Sequence, residues 1–418
     1  KAQEVINTCW RMGQNNPIIS IHDVGAGGLC NALPELIHAD KLGGQFDLKR
    51  IPCSQSNLSA MEIWCNEAQE RYVLAVLDSD IELFADICQR EQCPYAIVGI
   101  ATSEPILKLS DDNKQIPQAI NLPMAALFEN MPALECTVSR TPFEQCNFTT
   151  TGLLIDEVIE RVLQFPAVAD KSFLITIGDR SVGGLVARDQ MVGPWQTPVS
   201  DVAVTHSDFQ GYTGEAMAMG ERTPIACLHP AASARMAIGE ALTNLIAAPI
   251  KKLNDISLSA NWMAACDYSS DAADLYDAVQ AVGTELCPAL GINIPVGKDS
   301  LSMKVEWQDN EEKHIVASPV SLIVTAAAAV NDVRETLTPE LHPEQETCLI
   351  FIDLANGAQC LGGTSLAQVY QKLGQRPADI DSPEIFKKGL EAIIEAKNKQ
   401  LLLAYHDRSD GGLFVTLA

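Results

Sequence analysis

The loop His406-Asp407-Arg408-Ser409-Asp410-Gly411-Gly412 combines carboxylates with paired glycines. Asp407 and Asp410 offer hard oxygens for a cation, and the glycines precede a helix start whose backbone N–H groups could meet phosphate. The same composition also makes an ordinary strand–helix turn. Glu240 and Asn244 stand four residues apart, which places them on one helix face, and both carry oxygens suited to Mg2+. A solvated helix face is the alternative, yet the surrounding run 236–248 is so apolar that a glutamate within it needs a partner. Asp201, just after Pro198-Val199-Ser200, is a third oxygen donor, and Lys171, on the approach to a strand expected over 173–177, could reach phosphate. A polyanionic nucleotide could be held by such residues only through divalent-metal bridges and local donors, and ordinary turn and helix-face roles stay open for each of them.

Other motifs carry less. Pro295-Val-Gly-Lys298-Asp299-Ser300 ends a strand with a lysine turn but lacks both the glycine spacing and the following helix of a P-loop. Gly178-Asp-Arg-Ser-Val-Gly183-Gly184 and Gly362-Gly363-Thr364 read as loop punctuation or as glycine turns with a role. The seven histidines include no close pair, which argues against zinc. No G-x-S-x-G turn accompanies His22 or His406, so a hydrolase triad is disfavoured, and each histidine can instead orient its loop by hydrogen bonding.

The elements that must position these residues show a duplication. His22-Asp23-Val-Gly-Ala-Gly27-Gly28-Leu29 returns as His406-Asp407-Arg-Ser-Asp-Gly411-Gly412-Leu413, an offset of 384 residues. The same offset carries the helix-like positions Ile6, Cys9 and Trp10 onto Leu390, Ile393 and Ile394, and the predicted strand 18–21 onto 402–405. Helix, buried strand and His-Asp-glycine loop are thus expected twice. Strands are predicted over 72–78 and 95–101, flanking a helix opened by a Ser79-x-x-Glu82 capping box. Helices are predicted over 155–163, 231–248 (with Pro230 near its first turn) and 272–286, and strands over 199–205, 257–264, 292–296 and 315–327. Aperiodic stretches at 130–152 and 331–346 read as domain boundaries.

Composition limits the function. With 54 acids against 29 bases the formal charge is −25, which argues against a nucleic-acid or anionic-membrane partner. The 418 residues, 47% hydrophobic and 20% charged, are those of a globular protein of two or three domains. The weakly polar run 320–330 is about half of the ~20 residues that a membrane span needs. Thirteen cysteines without metal-ligand spacing suit a reducing compartment, and the expected localisation is cytoplasmic. The start Lys1-Ala-Gln-Glu, with neither initiator methionine nor apolar leader, reads as part of a longer polypeptide.

Four stretches carry a family resemblance: Asn16-Pro-Ile-Ile-Ser-Ile-His-Asp-Val-Gly-Ala-Gly-Gly-Leu29, Gly178-Asp-Arg-Ser-Val-Gly-Gly-Leu-Val-Ala-Arg-Asp-Gln190, Pro295-Val-Gly-Lys-Asp-Ser-Leu-Ser-Met303 and His406-Asp-Arg-Ser-Asp-Gly-Gly-Leu413. Over essentially the whole chain the sequence resembles the large phosphoribosylformylglycinamidine synthases, ATP- and glutamine-dependent amidating ligases of purine biosynthesis. That family fuses two two-domain units like aminoimidazole ribonucleotide synthetase, which is what the 384-residue offset looks like. The implied fold is α+β or α/β, with mixed sheets packed against helices. Residues 1–135 would end the C-terminal domain of the first unit, 150–335 would form the N-terminal nucleotide and Mg2+ domain of the second, and 346–418 would begin its C-terminal domain.

The resemblance further implies Mg2+ ligation by Asp201, Glu240, Asn244 and Asp407, with Lys171, Ser200 and Ser409 near ATP or ADP. In the long form this set corresponds to an auxiliary, structural ADP site, while Asp23 belongs with the catalytic one. The family reaction phosphorylates the amide oxygen of formylglycinamide ribonucleotide, and glutamine-derived ammonia then displaces phosphate. Implied partners are this substrate, ATP, ammonia, a first-unit N-terminal domain and a glutaminase domain. Neither a Thr-His-Asn-His-Pro stretch, which carries the family's catalytic histidine, nor a glutaminase Gly-x-Cys-x-Gly turn occurs in these residues. The chain by itself is therefore expected to be inactive. The alternatives are a nucleotide-clamped scaffold without turnover, or another ATP-dependent synthetase of the same superfamily such as selenophosphate synthetase.

Overall fold

In the computed structural model the described residues are 1–55, 57–111, 118–129, 137–140, 147–178, 180–181, 183–310, 312–342, 346–355 and 357–418. Parts of both predicted boundary stretches, and Asp179 and Val182 of the first glycine turn, lie outside them. The chain forms two compact units, Lys1–Cys136 and Thr137–Ala418.

The first unit contains α1 (Ala2–Arg11), β1 (Ile18–Asp23), α2 (Leu29–His38), β2 (Gly43–Asp47), α3 (Ala60–Trp64), β3 (Tyr72–Val76), α4 (Ile81–Arg90), β4 (Gly99–Thr102), β5 (Ile106–Ser110), β6 (Gln118–Pro123) and α5 (Ala125–Phe128). Strands β1 and β3 pair antiparallel, and a mixed sheet runs β4-β2-β5-β6, with β2 and β5 parallel. Leu29, Leu33, Phe46, Trp64, Leu107 and Leu109 form its main core. The expected capping box at Ser79 does not form. Asp80 precedes α4 without a side-chain cap, because residues 78–80 make a 3-10 turn of their own. A capping box does form at Ser59 and Glu62, at the start of α3. The strand expected over 95–101 is confined to β4.

The second unit contains α6 (Ile155–Leu163), α7 (Ser172–Ile177), β7 (Ala203–His206), β8 (Gly214–Glu221), α8 (Thr223–Ala226), α9 (Pro230–Leu245), β9 (Ser257–Met263), α10 (Asp271–Gln280), α11 (Cys287–Leu290), β10 (Asn293–Ser300), β11 (Lys304–Asp309), β12 (Glu312–Ala317), β13 (Ser321–Val330), α12 (Ser365–Val369), α13 (Pro383–Asn398) and α14 (Gly412–Leu417). Its centre is a mixed sheet, β10-β9-β13-β8-β7, in which only the β10–β9 pair is parallel. The period-2 pattern of β8 and β13 turns Ala216, Ala218, Leu322, Val324 and Ala326 inward onto α9. Those small residues let the helix approach closely: a Cβ at Gly220 would lie 2.0 Å from the Ala237 carbonyl oxygen. Pro230 sits in the first turn of α9, where its missing N–H costs nothing, and the His229 ring caps the Ala232 N–H.

Four strand expectations differ from what this unit forms. Residues 172–177 are helical, entered through a turn in which the Asp170 carboxylate accepts from the Ser172 N–H and hydroxyl, with no side-chain cap from Lys171. Four apolar residues and a threonine over 173–177 carry no period that separates strand from helix. Residues 402–405 of the second repeat form no ladder with the described residues, unlike their counterparts in β1. The run expected over 315–327 is two strands, broken at Ser318-Pro319 where proline cannot donate to a ladder. The expected strand 199–205 shortens to β7, leaving Ser200 and Asp201 in the preceding loop.

Candidate metal and nucleotide site

Asp201 lies just before β7, fixed between Pro198 and the buried Val202. Its side chain is 1% exposed. Oδ1 accepts from His406 Nδ1 at 2.7 Å and from the Asp407 N–H at 3.3 Å. Asp201 Oδ2 is buried with no hydrogen-bond partner. An orphaned carboxylate oxygen of this kind is costly unless a cation or a donor meets it. Ligand atoms of Asp201, His406 and Asp407 all lie within 4.8 Å of one another, and this is the group of potential metal ligands found among the described residues. The two carboxylates offer hard oxygens that fit a divalent ion, with His406 hydrogen-bonded to one of them.

Around this trio the expected residues fall as follows. Asp407 is buried, its Oδ1 accepting from Ser409 Oγ at 2.9 Å and its Oδ2 from Thr243 Oγ1 at 3.4 Å. Burial and then the Asp201 charge push its carboxyl up to about 6. Glu240 and Asn244 lie on α9 with Thr243 between them. Glu240 Oε2 accepts from the Glu221 N–H at 2.7 Å, and burial lifts its carboxyl to about 7 although that N–H and Arg222 oppose the rise. Asn244 Nδ2 donates to the Met219 carbonyl at 3.1 Å, so Oδ1 is its oxygen available to a cation. Burial works against a charged His406, but its bond to Asp201 and the charges of Asp201 and Asp407 raise its pKa on balance.

Ser200 Oγ donates to the Val202 carbonyl at 3.0 Å, which keeps it beside Asp201. Lys171 Nζ donates to the carbonyls of Ala167 and Ala169 rather than to any carboxylate of the group. The loop that holds it packs on the glycine turn, since a Cβ at Gly411 would lie 3.1 Å from Val168 Cγ1. Gly411 and Gly412 both adopt left-handed φ, at +88° and +73°, which side chains disfavour. Asp23 belongs to the first unit, its side chain 75% exposed at the end of β1, while the neighbouring His22 Nε2 meets Glu35 Oε2 at 3.0 Å. Lys298 lies exposed on β10, its Nζ 3.0 Å from Ser300 Oγ.

Three residues of the network escaped the sequence reading. Thr243 had a signal, since it sits between two proposed ligands on one helix. Arg222, whose Nη1 lies 2.8 Å from Asp410 and 3.7 Å from Glu240, and Tyr405, whose hydroxyl donates to the Thr243 carbonyl at 2.8 Å, had none, because both make contacts far away in sequence.

Comparison with known proteins bears on the same regions. Residues 170–329 match the family model described as the FGAR-AT PurM_N-like domain, and residues 1–112 match that of the AIR synthase related protein C-terminal domain. Among solved structures, Thermotoga maritima PurLQS matches with a TM-score of 0.58 at 18% identity, covering 81% of this chain and 51% of that one. Thermotoga maritima PurL complexed with ATP matches at 0.57 and 18% identity, covering 81% and 50%. The same protein complexed with FGAR matches at 0.55 and 19%, covering 81% and 49%. These likenesses establish the fold, and the chain spans about half the length of the chains it matches.

Proposed function

We propose, from a chain that belongs to the PurL-like branch of the AIR synthase superfamily, that its second unit holds a Mg2+–nucleotide site of an ATP-dependent carbon–nitrogen ligase. The parent reaction is the conversion of formylglycinamide ribonucleotide to formylglycinamidine ribonucleotide with glutamine-derived ammonia. The observation that carries the site is the buried, unpartnered Oδ2 of Asp201 beside His406 and Asp407. Asp201, Glu240, Asn244 and Asp407 are the proposed metal ligands, with Lys171, Ser200 and Ser409 toward the nucleotide. When bound, Mg2+ supplies the positive charge that joins these acids to phosphate oxygens.

The chain's own residues prepare that role. His406 orients Asp201 through Nδ1, Ser409 and Thr243 hold the two Asp407 oxygens, and the Glu221 N–H aims Glu240. The site joins residues about 200 apart in sequence, from the proposed domain 150–335 and the proposed domain 346–418. That geometry favours a nucleotide that fastens two segments over one that turns over, in line with an auxiliary ADP site. Asp23, on the other unit, is proposed to serve the catalytic one.

Calorimetric melting with and without Mg-ADP tests the reading. At one hundred times its dissociation constant the ligand should stabilise the chain by about 2.7 kcal/mol, while ADP with a chelator should not. Asp201→Asn and Asp407→Asn should each shrink the shift. An undiminished shift in both variants would remove these residues from the site.

A further inference from the structure

Arg222, between β8 and α8, is a half-buried cation with three acids around it. Its side chain is 18% exposed. Nη1 lies 2.8 Å from Asp410 Oδ1 and 3.7 Å from Glu240 Oε1, and the charge of Glu221 also acts on it. Its carbonyl accepts from Ser233 Oγ at 2.7 Å, which ties its backbone to the first turns of α9. Asp410 is in the same loop as Asp407 and Ser409, so one guanidinium connects α9 to that loop across 188 residues. Ion pairs this enclosed matter chiefly through what their loss leaves behind, an uncompensated buried charge.

We propose that Arg222 is a positioning residue of the site: through Asp410 it holds the 407–412 loop in place, and its fixed charge offsets part of the Asp201, Glu240, Asp407 and Asp410 cluster. The proposal rests on the reading of that cluster as a cation site. It predicts two effects of opposite sign. Removing the guanidinium loosens the loop, which harms any ligand that depends on loop geometry. It also makes the cluster more negative, which strengthens its pull on a bare divalent ion.

The test compares Arg222→Gln, Arg222→Lys and Asp410→Asn in the full chain. Without ligand, amide hydrogen exchange over 406–413 should quicken several-fold in Arg222→Gln and Asp410→Asn, stay near the parent rate in Arg222→Lys, and be unchanged over α13. Mn2+ alone, followed by its paramagnetic resonance, should bind at least twofold more tightly to Arg222→Gln than to the parent chain. Unchanged exchange in the loop overturns the proposal, and so does parallel weakening of Mn2+ binding with general loss of protection, which would mark Arg222 as merely structural. A parent chain that takes up Mn2+ but no Mg-ADP would sink the nucleotide reading and leave the Arg222 proposal to these two measurements. A chain that takes up neither overturns the cation-site reading and the Arg222 proposal with it.

Discussion

At the scale of single residues, the site weakens two of its acids, which can be read out by pH. Asp407 and Glu240 are lifted from ordinary values of 3.8 and 4.5 to about 6 and about 7, mainly by burial. Both therefore hold protons more tightly folded than unfolded. Their contribution to stability is complete below the unfolded values and is lost as pH rises through the folded ones. The metal-free chain should accordingly become less stable from about pH 4.5 to pH 7, and Asp407→Asn should remove the lower part of that slope. Because Mg2+ competes with these protons, its stabilising effect should grow over the same window. Melting curves at steps of pH, with chelator or with Mg-ADP, check both signs, and an equal slope in the parent and in Asp407→Asn would contradict the assignment.

Among the elements, α9 carries Glu240, Thr243 and Asn244 and depends on its closeness to β8. Gly220→Ala should push the two apart, since its Cβ would meet the Ala237 carbonyl oxygen and the Ala241 nitrogen. Overpacking of this kind typically costs about 1–3 kcal/mol. Chemical denaturation should show that loss, and Mg-ADP affinity should fall with it as Glu240 shifts. A variant as stable as the parent would mean that the helix yields freely. The helix itself was legible in the sequence, because Pro230 in its first turn and the largely apolar stretch that follows leave few other conformations. The ends of its partners were not. Residues 172–177 became helix after a turn held by Asp170, and residues 402–405 had strand character but form no ladder with the described residues. The carboxylates could be named from residue type, whereas Arg222 and Tyr405 owe their place to contacts with Asp410 and Thr243 that no local pattern encodes.

For the molecule as a whole, the division at Cys136 and Thr137 predicts two unfolding events rather than one. Scanning calorimetry should resolve two transitions, with Mg-ADP raising only that of the second unit. A single cooperative peak that moves as one would contradict the independence of the units. The long span between Asp201 and His406 has a consequence for the order of synthesis. A ribosome adding about 5–20 residues per second spends roughly 10–40 s between the two. Glu240 emerges soon after Glu221 and Arg222, so its local partners are already made when it leaves the tunnel. Asp201 has no such neighbour and must stay hydrated until His406 and Asp407 arrive. The nascent chain can therefore complete the α9 layer early but not the loop around Asp201, which makes that carboxylate a marker of when residues 406–412 dock.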